Sequence, residues 1–307
     1  MQCYNITLLA NFRGLGIKKL YYNIFCCLLV LVILHSPGIS ARTSSDTIES
    51  ARPLVVTTSK PLAIIAKAAL GKHAKIEFLQ SAKQSAHDIV LSVGSLEKMH
   101  RAELVIFIGD QMEPGIAKVI NGLPEGKAIK VLDLDLDFVE SKDNQRENHH
   151  SLDPHVWLNP HNANTIARAI QGAFGFSQQD IITEMQILAI EENLASVMEL
   201  SYISHHDMLG HFIKAFKVSK GRSLREANGA RKGAKSQYVL RNFARENDVK
   251  CVFIEPQYGD KDAFVIARSL ELPLRTLDAQ GVKQQLSETG YAEFMQTFTA
   301  QFKACFS

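Results

Sequence analysis

The sequence predicts an α/β protein with parallel sheets arranged in two lobes that a single long helix joins. From residue 54 onward, short β-rich runs alternate with amphipathic stretches, and the alternation resumes after an uninterrupted helical pattern over 178–200. The chain of 307 residues is long enough for two modest domains with their own cores. We therefore predict a signal peptide over 1–41, an N-terminal lobe over 42–176, a linking helix over 177–200 and a C-terminal lobe over 201–307.

The first half of the chain reads as strand–helix units. The predicted strands are Leu54–Thr57, Lys75–Phe78, Leu104–Ile108 and Ile129–Leu132. The predicted helices are Pro61–Leu70, Leu91–His100, Pro114–Asn121 and Pro160–Ala173. Proline is favoured in the first turn of a helix, where its missing N–H costs no hydrogen bond. The polar segment Asp133–Ser151 interrupts this pattern and is predicted to be a mobile surface loop.

The second half continues the alternation after the linking helix, which contains neither glycine nor proline and should be stiff. The predicted elements are helices His206–Phe216, Ala234–Glu246, Ala263–Leu270 and Tyr291–Phe306, and strands Val249–Ile254 and Leu274–Leu277. The basic segment Gly221–Lys235 is predicted to be a solvated surface loop, in preference to an anion or nucleic-acid site.

The charge balance argues against nucleic acid as the main ligand. The chain has 34 Lys and Arg against 32 Asp and Glu. Residues 1–41 contribute Arg13, Lys18 and Lys19 and no acidic residue, so the remaining chain is close to neutral. Binding to nucleic acid depends on clustered positive charge that neutralises phosphates, and we predict no such partner.

The N-terminus has the features of an export signal. Lys18 and Lys19 precede the apolar run Ile24–Leu34, which a Ser-Pro-Gly breaker ends. The run is short for a membrane span, which needs about 20 residues. We predict a periplasmic protein, the alternative being an uncleaved anchor helix. Cys251 and Cys305 would then be the two cysteines left in an oxidising compartment, as a disulfide or as two buried thiols.

Three histidines lie where the chain enters or leaves regular structure: His87, His155 and His206. In parallel α/β sheets, ligands bind at the carboxyl ends of the strands, so these loops can converge on one point. Three neutral imidazoles and one oxygen are favourable ligands for Zn²⁺. Because His205 and His206 are adjacent at a predicted helix start, we expect only one of them to face the site.

Several carboxylates accompany these histidines. Asp88 and Asp153 lie close in sequence to His87 and His155 and could orient the rings. Asp278 follows a predicted strand, which places its carboxylate well for an oxygen ligand. Glu255 ends another strand and could be a ligand, an orienting group or a structural cap.

An ordered set of segments resembles the periplasmic zinc-binding proteins of bacterial zinc ABC importers, within the wider zinc/manganese solute-binding family. The matching segments are SAHD (85–88), LVIFIGDQMEPGI (104–116), DPHVWLNPHNA (153–163), HHDMLGHF (205–212), CVFIEPQY (251–258) and LRTLDAQG (274–281). The resemblance implies two Rossmann-like lobes joined by a single long helix, with a metal site in the cleft between the lobes. It further implies that His87, His155, His206 and Asp278 are metal ligands and that Cys251 and Cys305 form a disulfide.

The function that the resemblance implies is capture of Zn²⁺ and its delivery to a membrane permease powered by an ATPase. Manganese-type relatives carry Glu or Asp where this chain has His206, so the resemblance favours zinc. It also implies a monomeric binding protein rather than an enzyme. The alternatives are a manganese or iron binder of the same family and a zinc hydrolase with Glu255 as its base.

Overall fold

The computed structural model describes residues 52–81, 87, 89–110, 112–141, 151–259 and 261–307. The predicted signal peptide over 1–41 lies outside these ranges. Two four-stranded parallel sheets with helices between their strands confirm the α/β prediction. Within the described ranges, none of the helices combines the length and apolar character needed to cross a bilayer.

The first sheet is built from the N-terminal strand–helix units in the order β2-β1-β3-β4. The elements are β1 Leu54–Thr57, α1 Lys60–Leu70, β2 Lys75–Phe78, α2 Val93–Arg101, β3 Leu104–Phe107, α3 Pro114–Ile120 and β4 Ala128–Lys130. β3 is buried along its whole length, as its unbroken apolar sequence predicts for an inner strand of a parallel sheet. Each predicted element of this half is present, and β4 ends early because a 3-10 turn begins at Val131.

Two short strands follow, β5 Glu140–Ser141 and β6 Ser151–Leu152, which pair in antiparallel fashion. They bracket the middle of the predicted surface loop, of which residues 142–150 lie outside the described ranges. The helix α4 then spans Pro160–Ala173, with the bounds that the sequence predicts. Asn159 caps it by accepting a hydrogen bond from the backbone N–H of His161 at 3.0 Å.

The predicted single helix over 177–200 is wrong in extent. The helix α5 spans only Glu184–Leu194, and a 3-10 turn over Ala195–Val197 follows it. Thr183 and Gln186 form a capping box, in which each side chain accepts from the backbone N–H of the other residue, at 3.3 and 2.9 Å. Because the apolar periodicity begins before this start signal, the sequence predicted a longer helix. The lobe boundaries at 176 and 200 depend on that helix and stay a prediction.

The second sheet has the order β10-β9-β7-β8. Its elements are β7 Ile203–His206, α6 Gly210–Phe216, β8 Arg222–Arg225, α7 Ala234–Glu246, β9 Val252–Ile254, α8 Lys261–Ser269, β10 Leu274–Thr276 and α9 Gly290–Lys303. Two predictions are corrected here. His206 ends a strand rather than opening a helix. The predicted loop Gly221–Lys235 contains β8, which has an arginine at each end and pairs in parallel with β7.

One hydrophobic cluster extends between the two sheets and includes residues of α1, α4, α5 and α9. Trp157 crosses this layer: its indole N–H donates to the carbonyl oxygen of Ala279 at 2.8 Å. The hydroxyl of Tyr291 donates to the carbonyl oxygen of Trp157 at 2.7 Å. Both aromatic side chains are fully buried, so the chain segment before α4 is fixed against the segment after β10.

A disulfide joins Cys251, just before β9, to Cys305, just after α9. Their Cα atoms are 5.5 Å apart and the sequence separation is 54 residues. The bond confirms the predicted pairing and ties the last helix to the second sheet.

Reduction of this disulfide should lower the free energy of unfolding. Closing a loop of 54 residues constrains the unfolded chain by about 4 kcal/mol in the chain-entropy model. Urea unfolding of the metal-free protein, oxidised and reduced, measures the difference directly. Equal unfolding midpoints for the two forms would contradict this role.

Candidate metal centre

Three histidines from distant parts of the sequence meet at one point. His87 follows β2, His155 precedes the 3-10 turn Val156–Leu158, and His206 is the last residue of β7. Their ring centroids are 5.0 Å (His155 to His206), 5.3 Å (His87 to His155) and 5.9 Å (His87 to His206) apart. One ring nitrogen of each lies within 4.8 Å of the others. The cluster lies where the carboxyl ends of the two sheets approach each other.

Asp153 fixes the orientation of His155. One carboxylate oxygen accepts from the backbone N–H of His155 at 3.0 Å and from ring atom Nδ1 at 2.7 Å. Because a carboxylate accepts, the ring proton of neutral His155 lies on Nδ1. Nε2 therefore presents a lone pair to the cluster. The sequence predicted this orienting role for Asp153.

Glu255 fixes the orientation of His206. Nδ1 of His206 donates to Oε1 of Glu255 at 2.5 Å, and the other carboxylate oxygen accepts from the side-chain amide of Gln257 at 2.7 Å. Burial raises the pKa of Glu255, but the charges of His206 and His205 outweigh it and lower the pKa to about 2. A buried carboxylate thus stays ionised beside the candidate ligand.

The two oriented rings face each other through their remaining nitrogens. Nε2 of His155 and Nε2 of His206 are 3.1 Å apart. Two lone pairs at this distance repel, so the pair needs either a proton or a cation between them. Two imidazole nitrogens bound to one tetrahedral zinc ion at about 2.0–2.1 Å lie roughly 3.3 Å apart. The spacing therefore fits a shared zinc ion with little movement of the rings.

The three clustered histidines differ in the direction of their pKa shifts. Burial lowers the pKa of His155 and of His87 well below the ordinary value, and neighbouring imidazoles lower both further. Burial also acts to lower the pKa of His206, but the charge of Glu255 and the hydrogen bond to it outweigh that effect and raise it. Because a metal ion binds the neutral ring, a proton on His206 competes with the metal.

The turn that carries His155 rests on α6. Ring atom Nε2 of His211 donates to the carbonyl oxygen of Asp153 at 2.9 Å. A Cβ atom at Gly210 would collide with Oδ2 of Asp153, so only glycine allows α6 to approach the carboxylate this closely. Burial raises the pKa of Asp153 to about 6, although His211 counteracts it. The carboxylate remains ionised at neutral pH and keeps its bond to His155.

The other predicted site residues have different positions. Asp88 lies outside the described residues. Asp278 is not part of the three-histidine cluster: its carboxylate accepts from the backbone N–H groups of Gln280 at 3.2 Å and Val282 at 2.7 Å. Burial raises the pKa of Asp278. In the structure this carboxylate stabilises its own turn.

Sequence reasoning missed two contributors to the site, Gln257 and Tyr258. Gln257 binds the second oxygen of Glu255. The ring of Tyr258 lies 4.4 Å from that of His205, which is in β7 and has Nδ1 3.5 Å from Oε1 of Glu255. The available signal was the position of Gln257 and Tyr258 after β9, because the carboxyl end of a parallel strand is where a binding site forms.

Comparison with known proteins identifies the family of the chain. The model of the family described as zinc-uptake complex component A, periplasmic (ZnuA), matches residues 55–180 and 183–305. A high-affinity zinc uptake system protein ZnuA of Haemophilus ducreyi is 25% identical over 291 residues, covering 82% of this chain and 92% of the relative. The corresponding protein of Yersinia pestis is 26% identical, covering 87% and 95%.

Solved structures give the same fold. A crystal structure of ZnuA superposes with a TM-score of 0.68 at 16% identity, covering 83% of this chain and 100% of that one. The periplasmic zinc-binding protein TroA of Treponema pallidum superposes with a TM-score of 0.67 at 17% identity, covering 83% and 99%. With the family model matching nearly all of the described chain, this protein belongs to the ZnuA family of periplasmic zinc-uptake components.

Proposed function

We propose that this protein captures Zn²⁺ in the periplasm and delivers it to a membrane permease that an ATPase drives. The facing Nε2 atoms of His155 and His206, each aimed by a carboxylate on Nδ1, are the observation that carries the proposal. The relatives named as zinc uptake proteins and the predicted signal peptide over 1–41 support it. The zinc ion is the cargo of the protein rather than a resident cofactor.

The proposed ligands are three neutral imidazoles, from His87, His155 and His206. Imidazole suits zinc, whereas manganese prefers carboxylate, carbonyl and water oxygens. The orienting carboxylates of Asp153 and Glu255 contact the rings through Nδ1 and add negative charge nearby without taking a ligand position. Competition between Zn²⁺, Mn²⁺ and Fe²⁺ for the metal-free protein tests this choice, and we expect zinc to displace the other two.

A zinc hydrolase is the less favoured function. A general base works best when its pKa lies near the working pH. Glu255, the candidate base, has its pKa lowered to about 2 by the adjacent imidazoles, which prevail over its burial. Both of its oxygens are engaged by His206 and Gln257. These contacts suit an orienting group, and we expect no metal-dependent turnover of ester or peptide substrates.

Replacing any of His87, His155 and His206 by alanine should weaken zinc binding by at least about a hundredfold, because each removes one of three ligand nitrogens. Calorimetric zinc titration of the metal-free protein measures the effect. His161→Ala is the matched control, since His161 is exposed in the first turn of α4. Parent-like binding in all three cluster variants would disprove the site.

The Asp278→Asn variant distinguishes between two roles of this carboxylate, metal ligation and stabilisation of its own turn. If it stabilises its turn, as its bonds to Gln280 and Val282 indicate, the variant should bind zinc about as tightly as the parent and unfold more easily. Zinc titration and urea unfolding of the same sample provide both readings. A loss of zinc affinity comparable with that of the histidine variants would instead make Asp278 the oxygen ligand that the sequence predicted.

Zinc affinity should fall as the pH decreases through the pKa of His206, because the proton on His206 competes with the metal. Glu255 raises that pKa, so Glu255→Gln should move the fall in affinity to lower pH. The variant should also bind zinc about 10–100-fold more weakly at pH 8, since its orienting charge is lost. Zinc titrations from about pH 5 to about pH 8 measure both effects.

The control for this experiment is Glu77→Gln, which removes a carboxylate from β2 that pairs with Lys75 and Lys98. Its pH profile for zinc binding should match that of the parent. An unchanged profile in Glu255→Gln would show that Glu255 does not set the protonation of His206.

A further inference from the structure

The outer side of the second sheet carries an exposed apolar patch. We call it the α7–α8 face and define it by Tyr238 and Val239 of α7 and Phe264 and Val265 of α8. These side chains are 66%, 42%, 56% and 62% exposed. Five other large hydrophobic side chains are exposed elsewhere in the described part of the chain, so almost half of them gather on this one helix pair. Such clustering is typical of an interaction surface.

Positive charge lies close to the patch. Residues 222–245 contain seven Lys and Arg and one acidic residue, the buried Glu226, whereas the whole chain is nearly balanced. A cavity of about 280 Å³ opens between α7 and α8, lined in part by Arg231, Lys232 and Arg241. Asp262 also lines it but already pairs with Arg225 at 2.9 Å and Arg231 at 3.4 Å. The net charge around the cavity is therefore positive and fits an acidic partner.

The face lies next to the metal centre. β7, β8 and β9 are parallel, so the loops that lead into α7 and α8 leave the same edge of the sheet at which β7 ends with His206. The exposed apolar residues lie in the first two turns of each helix, the half closest to that edge. In the loop before α8, the ring of Tyr258 lies 5.8 Å from that of His206. A partner bound here would sit beside the zinc site.

We propose that the α7–α8 face docks the periplasmic surface of the zinc permease, and that the docked surface presents acidic side chains around an apolar centre. The inference rests on the proposed function and adds to it the surface through which zinc is handed over. The apolar patch supplies the area that excludes water, and the basic rim supplies orientation and rate of encounter. The loop over 255–259, which holds Glu255 and Tyr258, connects this surface directly with His206.

The test uses proteoliposomes that contain the zinc permease and ATPase of the same organism. ATP hydrolysis is measured against the concentration of zinc-loaded protein. Two variants alter the face: Arg231→Glu with Lys235→Glu, and Tyr238→Ser with Phe264→Ser. The matched control is Lys72→Glu with Lys118→Glu, which reverses two exposed charges in the first half of the chain. Zinc titration and circular dichroism are recorded for every protein.

Both face variants should require about tenfold or more protein for half-maximal ATP hydrolysis, because a docking surface has lost charge or apolar area. Their zinc affinity should equal that of the parent, and the control should match the parent in both measurements. Stimulation by the parent should weaken with added salt, and that dependence should shrink in the charge-reversed variant.

Two results would overturn the docking surface even when the parent binds zinc normally. The first is normal stimulation of ATP hydrolysis by both face variants. If the parent binds zinc and stimulates ATP hydrolysis normally, this result leaves the proposed function intact. The second is binding of the parent to protein-free anionic vesicles with the same dependence on the face, which assigns the surface to lipid headgroups. A parent that holds no zinc refutes the proposed function itself, and the docking surface with it.

Discussion

The candidate metal centre depends on two buried carboxylate–imidazole hydrogen bonds. Asp153 holds Nδ1 of His155 and Glu255 holds Nδ1 of His206, so the neutral form of each ring carries its proton on Nδ1 and offers Nε2 to a metal ion. Without these bonds, each ring could rotate or present either nitrogen, and the 3.1 Å approach of the two Nε2 atoms would have no cause. The carboxylates are tolerated in the interior because the imidazoles and neighbouring donors satisfy them.

The backbone around these bonds is arranged to keep them short. The absence of a side chain at Gly210 lets α6 approach Oδ2 of Asp153, while His211, the next residue, supports the backbone of the same turn. Gly210 thus leaves the space in which the carboxylate lies, and His211 holds the peptide that carries it. His211 thus has a supporting position rather than a place among the three clustered rings.

Local signals were sufficient for much of the fold and for the three histidines. The helix Pro160–Ala173 follows from Asn159 and Pro160 at its start, and strand–helix alternation predicted every strand of the first sheet and β9 and β10 of the second, but not β7 and β8. The sequence predictions failed where pairing with distant strands determines the local structure. Ile203–His206 becomes a strand because β8 and β9 lie beside it, although its two histidines read as a helix start. The ligand role of Asp278, whose carboxylate accepts from the backbone of its own turn, stays a prediction.

The layer between the sheets limits how zinc can enter and leave. One hydrophobic cluster spans it, and Trp157 and Tyr291 are hydrogen-bonded across it at their buried polar atoms. A wide opening of the two halves would expose this cluster to water, at a cost that grows with the apolar area uncovered. The intact layer therefore favours zinc exchange without a wide opening, and of the three clustered histidines His87 is the least buried.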